Sequence, residues 1–443
     1  MRMLMAWCWL CALVASAEAG ALRGAVQDEN GKGVAGATVY VVRVRQKAAY
    51  EYRAQNFFAD WGKKALSDAD GKFVIEGVED DKQFDVLVAA EGFESKWVKA
   101  PVGKEITAKL KKLDPEKWPA EKTIRGVVKD ADGKPVWGAG VVPFGYKAGT
   151  ERWWSGGDSE EAATVTNEKG EFVLPMLYRF NPKKEIEQMD VRIYARGFAP
   201  LNTSLVSPGE DVKEFVVTAG ATITGRLLHE GKGVKGAVIV AEQDEAERER
   251  PSVETRVGHF DVQTDDEGRY TIAHVTANDK YLVHATMQSL GERGVMPAQK
   301  VATGADGESV DAGEVELVAG RVVAGRIKMA DGKAIKPNSA VQLSLDGTDS
   351  LEAKLGTEGT FKFVGVPAGV VWLHVNINGY RPSAENVSFE KVNGNCLLGL
   401  VEEDVTNLVV LMEEGKIEHD HQGDQQLLRG QKLAGVEGKE EAR

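Results

Sequence analysis

An internal repeat constrains this chain more than any other feature of its sequence. Four stretches open alike: Leu22-Arg23-Gly24-Ala25-Val26, Ile124-Arg125-Gly126-Val127-Val128, Ile223-Thr224-Gly225-Arg226-Leu227 and Val323-Ala324-Gly325-Arg326-Ile327. Their glycines recur about every 100 residues, whereas solenoid repeats run about 20–50, so the repeated unit is a globular domain. A second marker, Gly36-Ala37, Gly138-Ala139 and Gly236-Ala237, leads into β-branched runs such as Thr38-Val39-Tyr40-Val41-Val42. The fourth copy has Asn338-Ser339-Ala340 there and is more divergent. A third marker is a turn feeding an alternating run: Asp70-Gly71-Lys72-Phe73-Val74-Ile75, Lys169-Gly170-Glu171-Phe172, Glu267-Gly268-Arg269-Tyr270 and Glu358-Gly359-Thr360-Phe361.

Within each copy the period is 2, as strands require, and helical periodicity is nearly absent. Phe84, Val86, Val88 and Ala90 share one face of a run, and Asp85, Leu87 and Ala89 share the other. Short strands with one buried face each, about seven in about 95 residues, fit two sheets packed face to face. A hydrophobic content of 42% supports packed cores, and 49 Gly against 14 Pro fits many turns without a collagen-like triplet. The expected fold is all-β: four tandem transthyretin-like or Ig-like β-sandwich modules over residues 20–113, 120–218, 219–318 and 319–412. Residues 111–119, with Pro115 and Pro119, read as a semi-rigid linker, and the joints near Ala219-Gly220 and Ala319-Gly320 are short. Residues 413–443 turn polar and lose apolar alternation, as a disordered tail does.

The succession Gly24-Ala25-Val26, Asp28-Glu29-Asn30-Gly31, Val34-Ala35-Gly36-Ala37-Thr38-Val39, Ser67-Asp68-Ala69-Asp70-Gly71-Lys72-Phe73 and Ala90-Glu91-Gly92-Phe93 resembles the carboxypeptidase regulatory-like domain. Similar elements recur as Asp130-Ala131-Asp132-Gly133-Lys134-Pro135-Val136 with Arg196-Gly197-Phe198, and as Val366-Pro367-Ala368-Gly369 with Asn378-Gly379-Tyr380. The third copy lacks the Gly-aromatic ending. The resemblance implies a transthyretin-like or carbohydrate-binding-like sandwich appended to other proteins, with no catalytic residues.

The N-terminus places Met1-Arg2 before an apolar run from Met3 to Val14, closed by Ala15-Ser16-Ala17 and Ala17-Glu18-Ala19. A charged start, an apolar stretch and an A-x-A site form a secretory signal, expected over residues 1–19. The run is about 15 residues, short of the ~20 that span a bilayer. Export to a periplasmic, envelope or extracellular location follows, with no transmembrane segment after cleavage. Cys8 and Cys11 leave with the signal; Cys396 alone remains, so no intrachain disulfide is expected. The small residue that would precede an acylated cysteine is missing before Cys11. With 55 Lys and Arg against 68 Asp and Glu the net charge is −13, which disfavours nucleic acid as a partner.

The Asp68-Ala69-Asp70-Gly71, Asp130-Ala131-Asp132-Gly133 and Asp265-Asp266-Glu267-Gly268 clusters carry the oxygen ligands that calcium takes, but not the spaced set of an EF-hand. Asp-Gly is equally the chemistry of a tight turn, and that reading is preferred. The histidines His229, His259, His274, His284, His374, His419 and His421 show no zinc spacing. His374, between Leu373 and Val375, belongs on the face opposite them. No G-x-S-x-G elbow, Walker loop or C-x-x-C occurs. No cofactor, metal or catalytic residue is assigned, and the chain is read as not an enzyme.

Aromatic insertions separate the second and third markers. Copy one carries Tyr50, Tyr52, Phe57, Phe58 and Trp61; copy two carries Tyr146, Arg152, Trp153 and Trp154. Such rings stack on sugars or on apolar partner surfaces, or else fold back to seal the sandwich edge or a module junction. The working expectation is an exported, noncatalytic binding protein that recognises a polysaccharide or an envelope or extracellular protein through these loops. The alternative is a structural spacer or adhesin-like stalk whose aromatics are internal. A hydrolase of envelope polymers is a third and weaker class.

Overall fold

The computed structural model describes residues 20–46, 63–78, 82–101, 103–154, 163–177, 184–244, 260–336, 339–345, 349–356, 358–386 and 388–415. The expected signal, 1–19, lies outside them, as do 416–443 of the expected tail. Contacts divide the chain into two compact units, one ending at Ala219 and the other beginning at Gly220.

The first unit contains two sandwiches, each built the same way. The opening strand Gly20–Gln27 lies between Lys72–Val78, antiparallel to it, and Glu105–Lys109, parallel to it. In the second sandwich Thr123–Asp130 lies likewise between Glu171–Pro175 and Val212–Val217. The facing sheets centre on Thr38–Gln46 paired with Lys82–Ala89, and on Gly140–Ala148 paired with Gln188–Tyr194. Leu22, Val26, Phe73, Ile75 and Ile106 from one sheet meet Val39, Phe84, Val86 and Val88 from the other in the first core. Burying each such side chain stabilises by roughly 1.5–3 kcal/mol.

The second unit repeats the plan. Ala221–His229 lies between Arg269–Val275 and the parallel strand Ser309–Glu316, and Arg321–Met329 lies between Thr360–Val366 and the parallel strand Val405–Glu414. Their facing sheets centre on Val238–Gln243 paired with Lys280–Ala285, and on Gly369–Asn376 between Ala340–Leu345 and Cys396–Val401. Among the described residues the architecture is therefore almost entirely β, with one four-residue α-helix, Met287–Leu290.

Three local expectations change. Phe84, Val86 and Val88 face the core, but Leu87 and Ala89, on the opposite face, do not meet water: both are buried in a separate cluster with Val142, Ala163 and Val165 of the second sandwich. Residues 111–119, expected as a semi-rigid linker, are held against the first sandwich. Leu113 N–H donates to Gly92 O at 2.8 Å and Trp118 Nε1–H to Glu94 Oε1 at 3.2 Å, which fastens this stretch to the first sandwich. The last strand runs through Glu414, past Met412, because Tyr380–Pro382 pairs with its end.

Candidate functional site

The aromatic insertion of the second sandwich is a hairpin. Gly140–Ala148 turns at Gly149, whose φ is +57°, and returns as Glu151–Trp154, with Trp153 opposite Tyr146 and Arg152 opposite Lys147. A β-bulge in the pairing with Gln188–Tyr194, between Asp190 and Val191, shifts the register here. Such a bulge re-aims side chains. Val141 and Tyr146 thus both reach the core although they are five positions apart, an odd spacing that a regular strand would split between its two faces.

Tyr146 is fully buried, among Ile124, Phe172, Met189 and Phe215. It cannot present its ring to an external ligand, and the expectation that it lines a recognition surface is corrected accordingly. Trp153 is half-buried and packs on that core, its ring stacked on Tyr146 with centroids 5.9 Å apart and planes at 17°. The Lys184 ammonium lies 3.9 Å from the Trp153 ring centroid. Arg152 Nη2–H donates to Asp190 Oδ2 at 2.9 Å, and Asp190 is buried, its Oδ1 accepting from Leu205 N–H at 2.8 Å. Arg152 therefore neutralises a buried carboxylate and is not held out toward a ligand. Trp154 continues the hairpin opposite Gly145, and its side chain lies outside the described residues. Tyr50, Tyr52, Phe57, Phe58 and Trp61 of the first insertion lie outside them altogether.

Three tryptophans that the insertions did not single out are better placed to explain how the first unit works. Trp137 Nε1–H donates to Thr38 Oγ1 at 3.2 Å, while Lys64 Nζ–H donates to Trp137 O at 2.6 Å and sits 4.3 Å from its ring centroid. Burial, with a contribution from Arg196, holds the Lys64 ammonium below the usual lysine value. Trp97 packs beside Tyr40, Leu87, Val142 and Val165, and Trp118 holds Glu94 as described above. The contacts of Trp97 and Trp137 cover the outward face of the sheet holding Thr38–Gln46 and Lys82–Ala89 and join it to the second sandwich. One signal was available: Trp137 immediately precedes the second marker, where copies one and three have Ala35 and Lys235.

The acidic turn clusters use their oxygens internally. Asp68 Oδ1 accepts from Asp70 N–H at 3.0 Å and Lys72 N–H at 2.7 Å, and Asp130 and Asp265 do the same in their turns. In copy two Asn167 takes this place, its Oδ1 accepting from Lys169 N–H and Glu171 N–H at 2.9 Å, so a neutral oxygen suffices. Among the described residues no group of three His, Cys, Asp or Glu is placed to hold a metal ion. His374 lies between the buried Leu373 and Val375, its Nε2 3.8 Å from the Cys396 sulfur, and His259 lies outside the described residues. No helix among the described residues is long and apolar enough to cross a membrane.

No protein-family model matches the chain, and no curated protein matches it. Solved structures do. The Bacillus anthracis TIE protein is 11% identical, with a TM-score of 0.18 over 88% of this chain and 73% of its own. A streptococcal ancillary pilin is 11% identical, with a TM-score of 0.23 over 67% of this chain and 99% of its own. A minor pilin of Streptococcus agalactiae is 12% identical, with a TM-score of 0.23 over 45% of this chain and 98% of its own.

Proposed function

We propose that the chain is an exported, noncatalytic structural protein of the cell envelope or exterior, a multi-module spacer whose sandwiches are locked together in pairs. The observation that carries this reading is the fate of the aromatics. Tyr146 and Trp153 are spent on the second core, and Trp97 and Trp137 on the seam between the first two sandwiches. Export rests on the charged, apolar and A-x-A succession at the N-terminus. The noncatalytic character is supported by the repeat itself, which accounts for nearly the whole chain without a nucleophile or phosphate motif. The carboxypeptidase regulatory-like resemblance fits the same reading.

Replacing Trp153 by Ala separates the spacer from the glycan-binding alternative. Removing a half-buried ring stacked on the core is expected to cost about 2–3 kcal/mol of stability, read by denaturant unfolding of the exported chain. Retention on peptidoglycan sacculi, cellulose, chitin and xylan is expected to be absent for parent and variant alike. Parent protein that is retained on one of these, together with a variant that unfolds like the parent but is no longer held, would overturn the spacer. Recognition through Tyr50, Tyr52, Phe57, Phe58 and Trp61 is read in the same panel with Trp61→Ala.

A further inference from the structure

The third copy departs from its neighbours where they carry the Gly-aromatic ending. After Lys280–Ala285 the chain makes the short helix Met287–Leu290 and a 3-10 turn, Gly291–Arg293, and then Val295 bridges to Val318. This excursion walls a cavity of about 600 Å³ between the third and fourth sandwiches, both within the second unit. That volume falls in the range of small-molecule sites, about 300–1,000 Å³. Leu282, Met287, Leu290, Met296, Leu345 and Pro367 supply an apolar wall.

Three polar side chains interrupt it. Asp349 is committed: its Oδ2 accepts from Met287 N–H at 2.5 Å and its Oδ1 from Ser350 N–H at 2.7 Å, tying the fourth sandwich to the helix of the third. His284 is 9% exposed; its Nδ1 lies 3.4 Å from Ala285 O, which only accepts, and its buried Nε2 has no partner. Arg321, at the start of the fourth sandwich, has a buried Nε–H without an acceptor. Among the described residues its guanidinium forms no ion pair. The Arg321 Nε–H and the His284 Nε2 thus line an apolar chamber without partners, an arrangement that costs stability until a ligand completes it.

We propose that this cavity binds a small apolar carboxylate, its hydrocarbon body against Leu282, Met287, Met296 and Leu345 and its carboxylate on Arg321 and His284. A carboxylate accepts the Arg321 Nε–H, and it accepts a second hydrogen bond from His284 Nε2–H in the tautomer that places the proton there. Carboxylate specificity is informative here, because a net charge of −13 gives the chain no general attraction for anions. The site goes beyond the spacer role and does not depend on it.

Isothermal titration of the intact exported chain with dodecanoate, dodecan-1-ol and dodecyltrimethylammonium, each below its micellar concentration, tests the inference. Saturable binding of one dodecanoate per chain is expected, at least about tenfold tighter than the alcohol, with the ammonium weakest; tenfold is the lower bound for a lost charge-assisted hydrogen bond. Arg321→Gln is expected to remove the preference for dodecanoate over the alcohol. Should that variant fail to fold, His284→Leu, which deletes the partnerless nitrogen, is expected to reduce the preference, and Ala298→Trp at the exposed rim to block both ligands. No saturable binding, equal affinity for acid and alcohol, or binding indifferent to the folded variants would each overturn it.

Discussion

At the residue scale, two tyrosines of the third sandwich report its core directly. Tyr281 is fully buried and its hydroxyl oxygen accepts from Thr276 N–H at 2.8 Å; burial pushes its pKa up to about 12. Burial, with the nearby Asp311 carboxylate, pushes Tyr270 up to about 12 as well. Both folded values stand above the ordinary value near 10, so the folded state keeps its phenol protons longer than the unfolded chain does. Their contribution to stability is complete below pH about 10 and is lost as pH rises toward about 12. A spectrophotometric alkaline titration is expected to show these two phenols ionising last and together with unfolding. Tyr281→Phe leaves the Thr276 N–H without its acceptor, at a cost of about 1–2 kcal/mol in denaturant unfolding. The position of Tyr270 after a turn was legible in the sequence; its depth was not, because alternation names a face without saying what covers it.

At the element scale, the repeated glycine of each opening strand has a different cause in different copies. A Cβ on Gly24 would lie 2.1 Å from Ile106 O, and one on Gly325 2.1 Å from Leu408 O, so in these copies it is the parallel closing strand that excludes a side chain. On Gly126 the Cβ would strike the rings of Phe172 and Phe215 at 2.5 and 2.6 Å, and on Gly225 the Tyr270 hydroxyl at 2.3 Å. Repetition in the sequence marked the positions, but the closing strand sits about 80 residues away, and no local pattern announces a parallel partner across that distance. The Asp-Gly turns are the opposite case, since their chemistry closes within five residues. Asp68→Asn is expected to leave stability within about 0.5 kcal/mol and Asp68→Ala to cost about 1 kcal/mol, because one oxygen for two backbone N–H groups is what the turn uses. Calcium-dependent stabilisation of the parent that Asp68→Asn abolishes would show instead that the charge matters.

At the scale of the whole molecule, the first unit depends on surfaces that a lone sandwich would expose. Tyr40, Leu87 and Ala89 on one side and Val142, Ala163 and Val165 on the other are buried only because two modules meet, with Trp137 bonded across the seam to Thr38. Trp137→Ala is therefore expected to destabilise both sandwiches together by about 1–3 kcal/mol. Hydrogen exchange should quicken in Thr38–Gln46 as well as in Gly140–Ala148; quickening confined to the second sandwich would mean that the modules stand independently. The sequence by itself determined the all-β class, the fourfold repeat, the strand faces and the turns, because alternation and Asx chemistry act over two to five residues and survive being read one segment at a time. Only the tertiary structure decided what lies over each outward face: that Tyr146 turns inward at a bulge, that Leu87 meets a neighbour in place of water, and that His284 and Arg321 line one cavity. Those outcomes depend on register and on contacts between residues far apart in the chain, and a local pattern is the same whether the second face meets solvent, a ligand or another sandwich.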